Sequence, residues 1–185
     1  MLVLNRSIPT LLLLASALAA PALARAGARE DVPDDVYLLA QPEPVVQSIR
    51  AAGIERSVQS VNWFIRGFAR QRLQQVATAC PAYQILVRDP HFEVICDGET
   101  VFEWQLGQTG TWTTETGDVV GVTLIELKSA FELRFDAGGG QGKTFHYAWD
   151  DVGNLTVTQQ ITSPRLPVPV RYALQYRADG LPTVR

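Results

Sequence analysis

From Tyr83 towards the end of the chain, apolar and polar residues alternate almost one for one. Phe131, Leu133 and Phe135 alternate with Glu132 and Arg134, and Phe145, Tyr147 and Trp149 with Thr144, His146 and Ala148. Leu155, Val157 and Ile161 alternate with Thr156, Thr158 and Gln160, and Val170, Tyr172, Leu174 and Tyr176 with Arg171, Ala173, Gln175 and Arg177. A period of two predicts strands with one dry and one wet face. Residues 83–88, 92–96, 101–106, 109–116 and 119–127 add up to five more. The segments "CDGET", "ETGD" and "DDVGN" supply turn residues between them. Keeping Phe92 and Val94 in phase with Phe102 and Trp104 requires an odd-length connection, for which Cys96-Asp97-Gly98 is suited. The result is an antiparallel meander of about eight or nine strands, a length at which sheets curl into a half-barrel or barrel.

Upstream of Pro81 the period changes to that of a helix. Glu43–Ala52 predicts a short helix, with Pro44 in its first turn and Gly53 as its stop. Ile54–Ala79 predicts a long one. Ile54, Val58, Val61, Ile65, Phe68, Val76 and Ala79 fall on one stripe at 100° per residue, and Pro81 ends it. The expected fold class is α+β, with a short and a long helix (45–79) covering the apolar face of the sheet (83–177) in a single domain, 45–185.

The first 24 residues do not fit this core. Arg6, the run "LLLLASALAA" and the small-residue ending "APALA" predict a cleavable signal peptide. The run is short of the roughly 18–20 residues that span a bilayer. Residues 25–44 mix Gly, Pro and acids and predict an extended tether. Export, to a periplasmic or extracellular location, follows as an expectation. It agrees with an even cysteine count, because Cys80 and Cys96 then predict a disulfide rather than a metal pair.

Charge narrows the partners. The chain carries a net −3, and loss of residues 1–24 removes one arginine and no acid, leaving −4. That is no nucleic-acid footprint. Residues 137–144, "AGGGQGKT", match a relaxed phosphate-loop pattern, yet "FHYAWDD" after it alternates as a strand where a helix is required. The run reads as a hairpin tip with Lys143 in the loop, and no nucleotide or other cofactor is expected.

Candidate chemistry is thin elsewhere. His91 and His146 are the two histidines, and neither lies in a metal-ligand pattern. A hydrolase or isomerase would need His146 beside a strand carboxylate, from the set Glu103, Glu115, Glu126 and Glu132.

The aromatics are more informative. Trp104, Trp112, Phe145, Tyr147, Trp149 and Tyr172 are the candidate ligand-binding residues, because a curled sheet places many of them on one concave face, as in lipocalin-like containers. The function this suggests is a non-enzymatic binding protein for a small apolar or lipid-like ligand. The alternative is a protein-interaction module, such as an inhibitor, a toxin neutraliser or an envelope assembly factor. It would use Trp63, Arg56, Arg66 and Arg70 on the opposite helix face to meet an acidic protein partner or an anionic membrane surface.

Overall fold

The computed structural model describes residues 35–114 and 117–179. The predicted signal segment and residues 25–34 of the tether lie outside the described residues. The elements run β1 (Val36–Leu39), α1 (Glu43–Val58), a 3-10 turn (Trp63–Ile65), α2 (Arg66–Val76), β2 (Ala82–Arg88), β3 (His91–Cys96), β4 (Glu99–Gln105) and β5 (Thr109–Thr113). They continue with β6 (Val119–Leu127), β7 (Ala130–Gly138), β8 (Gln141–Trp149), β9 (Leu155–Thr162) and β10 (Val170–Ala178). No helix among the described residues is long and apolar enough to cross a membrane.

The fold is α+β, as the periodicity predicts: two helices packed on a curled, wholly antiparallel sheet that forms a half-barrel. The strand order is β4-β3-β2-β1-β10-β9-β8-β7-β6-β5, so the sheet has ten strands rather than eight or nine. The additional strand is β1, inside the segment expected to be a tether. It pairs with β2 on one side and with β10 on the other, and Tyr37 at its centre is fully buried. Because β1 sits between β2 and β10, the edges of the sheet are β4 and β5, which are consecutive in sequence. They meet through side chains. Phe102 of β4 lies edge-on to Trp112 of β5 with ring centroids 5.9 Å apart. Trp104 crosses towards Gly110, where a Cβ would sit 3.0 Å from the indole.

The helices depart from the expected boundaries in two places. Gly53 does not stop the first helix, which continues to Val58. The glycine instead lets α1 approach the sheet, since a Cβ there would lie 2.8 Å from the carbonyl oxygen of Arg171 on β10. The single long helix over 54–79 is also broken. α1 ends at Val58, and Asn62 caps a new turn by accepting a hydrogen bond from Phe64 N at 3.2 Å. Arg66 donates to the carbonyls of Val61 and Gln59, which the break leaves without helical partners. The apolar stripe therefore splits. Ile54, Val58 and Val61 are buried, whereas Ile65 and Phe68 face outwards.

Hairpin parity is kept by a different device from the one expected. Asp97 and Gly98 form a two-residue turn, both at positive φ, between paired Cys96 and Glu99. A bulge beside Val94 and Ile95 then supplies the odd residue that brings Val94 opposite Phe102 and Phe92 opposite Trp104.

Candidate functional site

The concave face of the half-barrel is filled at one end and open at the other. At the filled end Tyr37, Phe92, Phe131 and Tyr176 have no exposed surface. At the other end lies a cavity of about 420 Å³. One wall is aromatic: Phe102 from β4, Trp112 from β5, Phe135 from β7, and Phe145 and Tyr147 from β8. These rings pack along the wall, with Phe135 centroids 5.3 Å from Phe102, 5.6 Å from Trp112 and 6.1 Å from Phe145. Val94, Val101, Val120 and Leu133 add apolar surface.

The roof is the strap of residues 77–81 that follows α2. Its side chains are small, Ala-Thr-Ala-Cys-Pro. Thr78, Ala79 and Cys80 line the cavity, together with Cys96. Cys80 and Cys96 form the expected disulfide, with Cα atoms 5.7 Å apart, and so tie the strap to the end of β3.

The strap is fastened from below through its carbonyl oxygens. Lys143 Nζ donates to Val76 at 3.1 Å and Arg50 donates to Ala77. Gln159 Nε2 donates to Thr78 at 2.8 Å, and Tyr176 donates its hydroxyl to Cys80 at 3.0 Å. The Tyr172 hydroxyl lies 2.9 Å from the Thr78 oxygen and 2.8 Å from Gln159 Oε1. An irregular buried segment is stable only when its polar groups are met in this way.

Of the six aromatic residues expected to contact a ligand, the structure places Trp112, Phe145 and Tyr147 on the cavity wall. The other three are engaged elsewhere. Trp104 closes the seam, its Nε1 donating to Gln108 O at 3.1 Å. Trp149 packs in the filled end, its Nε1 donating to the Tyr37 hydroxyl at 2.9 Å. Tyr172 holds the strap.

Lys143 was expected at a loop tip and is found inside. The β7–β8 turn is the pair Gly139-Gly140, so Lys143 already belongs to β8, opposite Phe135 and on the inner face with Phe145 and Tyr147. Its ammonium lies 4.7 Å from the centre of the Phe145 ring. Burial, with the nearby charge of Arg50 in second place, lowers its pKa from 10.5 to about 8. Burial likewise pushes the Tyr83 and Tyr147 hydroxyls of the same cavity above their ordinary value.

The arginines of the opposite helix face are not a loose cationic patch. Arg56 donates to Arg171 O at 3.2 Å, Arg66 holds the broken helix, and Arg70 forms an ion pair with Glu55 at 2.9 Å. The hydrogen bonds and charge of Arg70 hold the Glu55 carboxyl below its ordinary range. What is presented outwards is aromatic. Trp63 is 68% exposed and stacks on Phe64, with Phe68 71% exposed beside them in sequence.

The two histidines lie outside the cavity. His146 sits on the convex face across from Glu132, whose carboxylate accepts instead from Arg134 at 2.5 Å. His91 is exposed, 3.8 Å from Glu103. Among the described residues no three His, Cys, Asp or Glu side chains cluster as a metal site.

No protein-family model matches the chain, and no curated protein matches it. Solved structures do. Lipid binding protein 8 of Caenorhabditis elegans is similar over 78% of this chain and 94% of its own, with 11% identity and a TM-score of 0.48. A fatty-acid-binding protein from the brain of Drosophila melanogaster aligns over 80% of this chain and 99% of its own, with 14% identity and a TM-score of 0.48. Fatty-acid-binding protein 1 of Echinococcus granulosus aligns over 78% and 96%, with 11% identity and a TM-score of 0.45. These superpositions are loose.

Proposed function

We propose that this chain is an exported, non-enzymatic binding protein that holds a small apolar or lipid-like ligand between the aromatic wall and the strap. One observation carries the reading. A cavity of about 420 Å³, within the roughly 300–1,000 Å³ usual for small-molecule sites, is walled by aromatic and aliphatic side chains with few polar groups. Water in such a space has few partners, so an apolar occupant gains the free energy of leaving bulk water and displaces little that is well bound. Export is supported by the leader pattern of residues 1–24 and by the Cys80–Cys96 bond, since disulfides persist in oxidising compartments.

Native mass spectrometry of the protein purified from the envelope or medium of cells expressing the full chain tests this. The expected spectrum contains a lipid-sized adduct released by collision. A bare chain in repeated preparations, together with failure to take up a fluorescent fatty amphiphile, overturns the reading.

A second reading is favoured by the outward side chains of the broken helix. Phe64 is 74% exposed and stacks on Trp63 at a centroid distance of 3.6 Å. Contiguous apolar surface of this kind marks contact sites. A protein partner or a membrane surface would meet it there, and loss of that contact in a Trp63→Ser, Phe68→Ser variant, with ligand uptake unchanged, would separate this surface from the cavity.

A further inference from the structure

The geometry points to an anion subsite at the strap end of the cavity, in which Lys143, backed by Arg50, receives the single charged headgroup of an amphiphilic ligand. The inference rests on the cavity being a ligand site and names the class of ligand.

Among the described residues that line the cavity, Lys143 is the only lysine or arginine, and none is a carboxylate. Among the described residues neither Lys143 nor Arg50 has an ion-pair partner. One N–H of Lys143 is spent on Val76 O and its cation rests on the Phe145 ring. Two further N–H groups remain for a ligand. Arg50 comes from the α1 side of the strap, close enough for its charge to act on Lys143. It donates to Ala77 O, and its Nε is a buried donor with no acceptor among the described residues.

Two like charges held together beneath the strap, without a counterion among the described residues, are unfavourable unless something negative joins them. A carboxylate or phosphate monoester on an alkyl or aryl tail fits, with its tail along Phe145, Phe135 and Trp112. The other titratable groups here are Tyr83 from β2 and Tyr147 on β8, which line the cavity with Lys143, and Tyr172 on β10, which lies beside Arg50. Burial raises all three hydroxyls, Tyr172 to about 12, so they stay neutral while the lysine titrates.

Binding of such an anion has a defined pH dependence. Below pH 8 the lysine is protonated and binding is strongest. As the pH rises through about 8 the unliganded protein loses the proton, and affinity for the anion falls by up to tenfold per pH unit until the value in the complex is reached.

The experiment measures Kd for decanoate, decyl phosphate and decanol by displacement of a fluorescent amphiphile, from pH 7 to 10. It uses the wild-type protein and the Lys143→Met and Lys143→Arg variants. A hydrogen-bonded charge is worth roughly 10- to 150-fold, so decanoate is expected to bind that much more tightly than decanol at pH 7. The advantage is expected to disappear in Lys143→Met, where decanol still binds, and to return without the pH dependence in Lys143→Arg. A preference for decyl phosphate over decanoate assigns the headgroup as phosphate, and the reverse assigns it as carboxylate. Equal affinity for decanol and both anions in the wild type overturns the subsite, as does equal loss of all three in both variants. Failure of all three to bind wild type overturns the cavity reading itself.

Discussion

Replacing Lys143 by methionine is expected to stabilise the unliganded protein at neutral pH. In the unfolded chain this lysine titrates near its ordinary 10.5, and in the folded protein near 8. Between those values the unfolded state binds the additional proton, so folding becomes more favourable as the pH rises through that window. At about 1.4 kcal/mol per pH unit, the charged lysine costs the folded state about 3 kcal/mol at pH 7, and the cost is gone by about pH 10.5. Methionine removes the charge and keeps an apolar stem. It also leaves Val76 O without its donor, which subtracts about 1–2 kcal/mol at every pH. The observable is therefore the pH dependence of the difference. Urea unfolding followed by tryptophan fluorescence, at half-unit steps from pH 7 to 10.5, gives both stabilities. The variant is expected to lose about 3 kcal/mol relative to wild type between pH 8 and 10.5. A difference that is constant across this range would refute the claim that the ammonium is buried at a cost to the folded state.

Four further outcomes follow from particular contacts. Gly53→Ala is expected to cost about 1–3 kcal/mol despite alanine's better helix propensity, because its methyl would meet Arg171 O at 2.8 Å, whereas Gly67→Ala in α2, with no atom within 4 Å, is expected to gain about 0.5–1 kcal/mol; urea midpoints compare them. Opening the Cys80–Cys96 bridge with a double alanine variant releases a loop between residues 16 apart and is expected to cost about 3 kcal/mol in the same assay, with weaker ligand retention because the strap loses its tie. Across a series of alkyl carboxylates, Kd is expected to fall about fourfold per added methylene until the cavity is full, as calorimetry would show. Ala79→Phe is expected to abolish uptake without unfolding the chain, because the new ring takes up cavity space under the strap; unchanged uptake would place the ligand elsewhere.

The strands were legible because period two is a local signal that burial on one face enforces. β1 was not. Val-Tyr-Leu-Leu is four residues without alternation, and its partners are the last strand and a strand beyond both helices. The break between the helices left a faint trace in Ser60 and Asn62, both residues that hydrogen-bond back to the main chain. The spacing of Ile65 and Phe68 masked it by continuing the helical stripe. Lys143 was within reach of parity. Two residues before Phe145 on a strand, it must share that ring's face, although the glycine run before it has the composition of a loop. Tyr172 and Trp149 show the opposite limit. Alternation puts them on the inner face, but which inner residues fill a core and which border a space depends on what lies opposite.

What lies opposite is decided by the strap. Across from the filled end the sheet meets its own rings: Tyr37 packs against Trp149, and Phe92 against Phe131. Across from the aromatic wall of β4, β5, β7 and β8 it meets Ala77, Thr78, Ala79 and Cys80, whose side chains are too small to reach the rings. The large side chains nearby in sequence, Phe64, Ile65 and Phe68, follow the break after Val58 and face the outside. The segment between α1 and β2 thus lays only small side chains over the cavity and presents its large aromatic ones outwards.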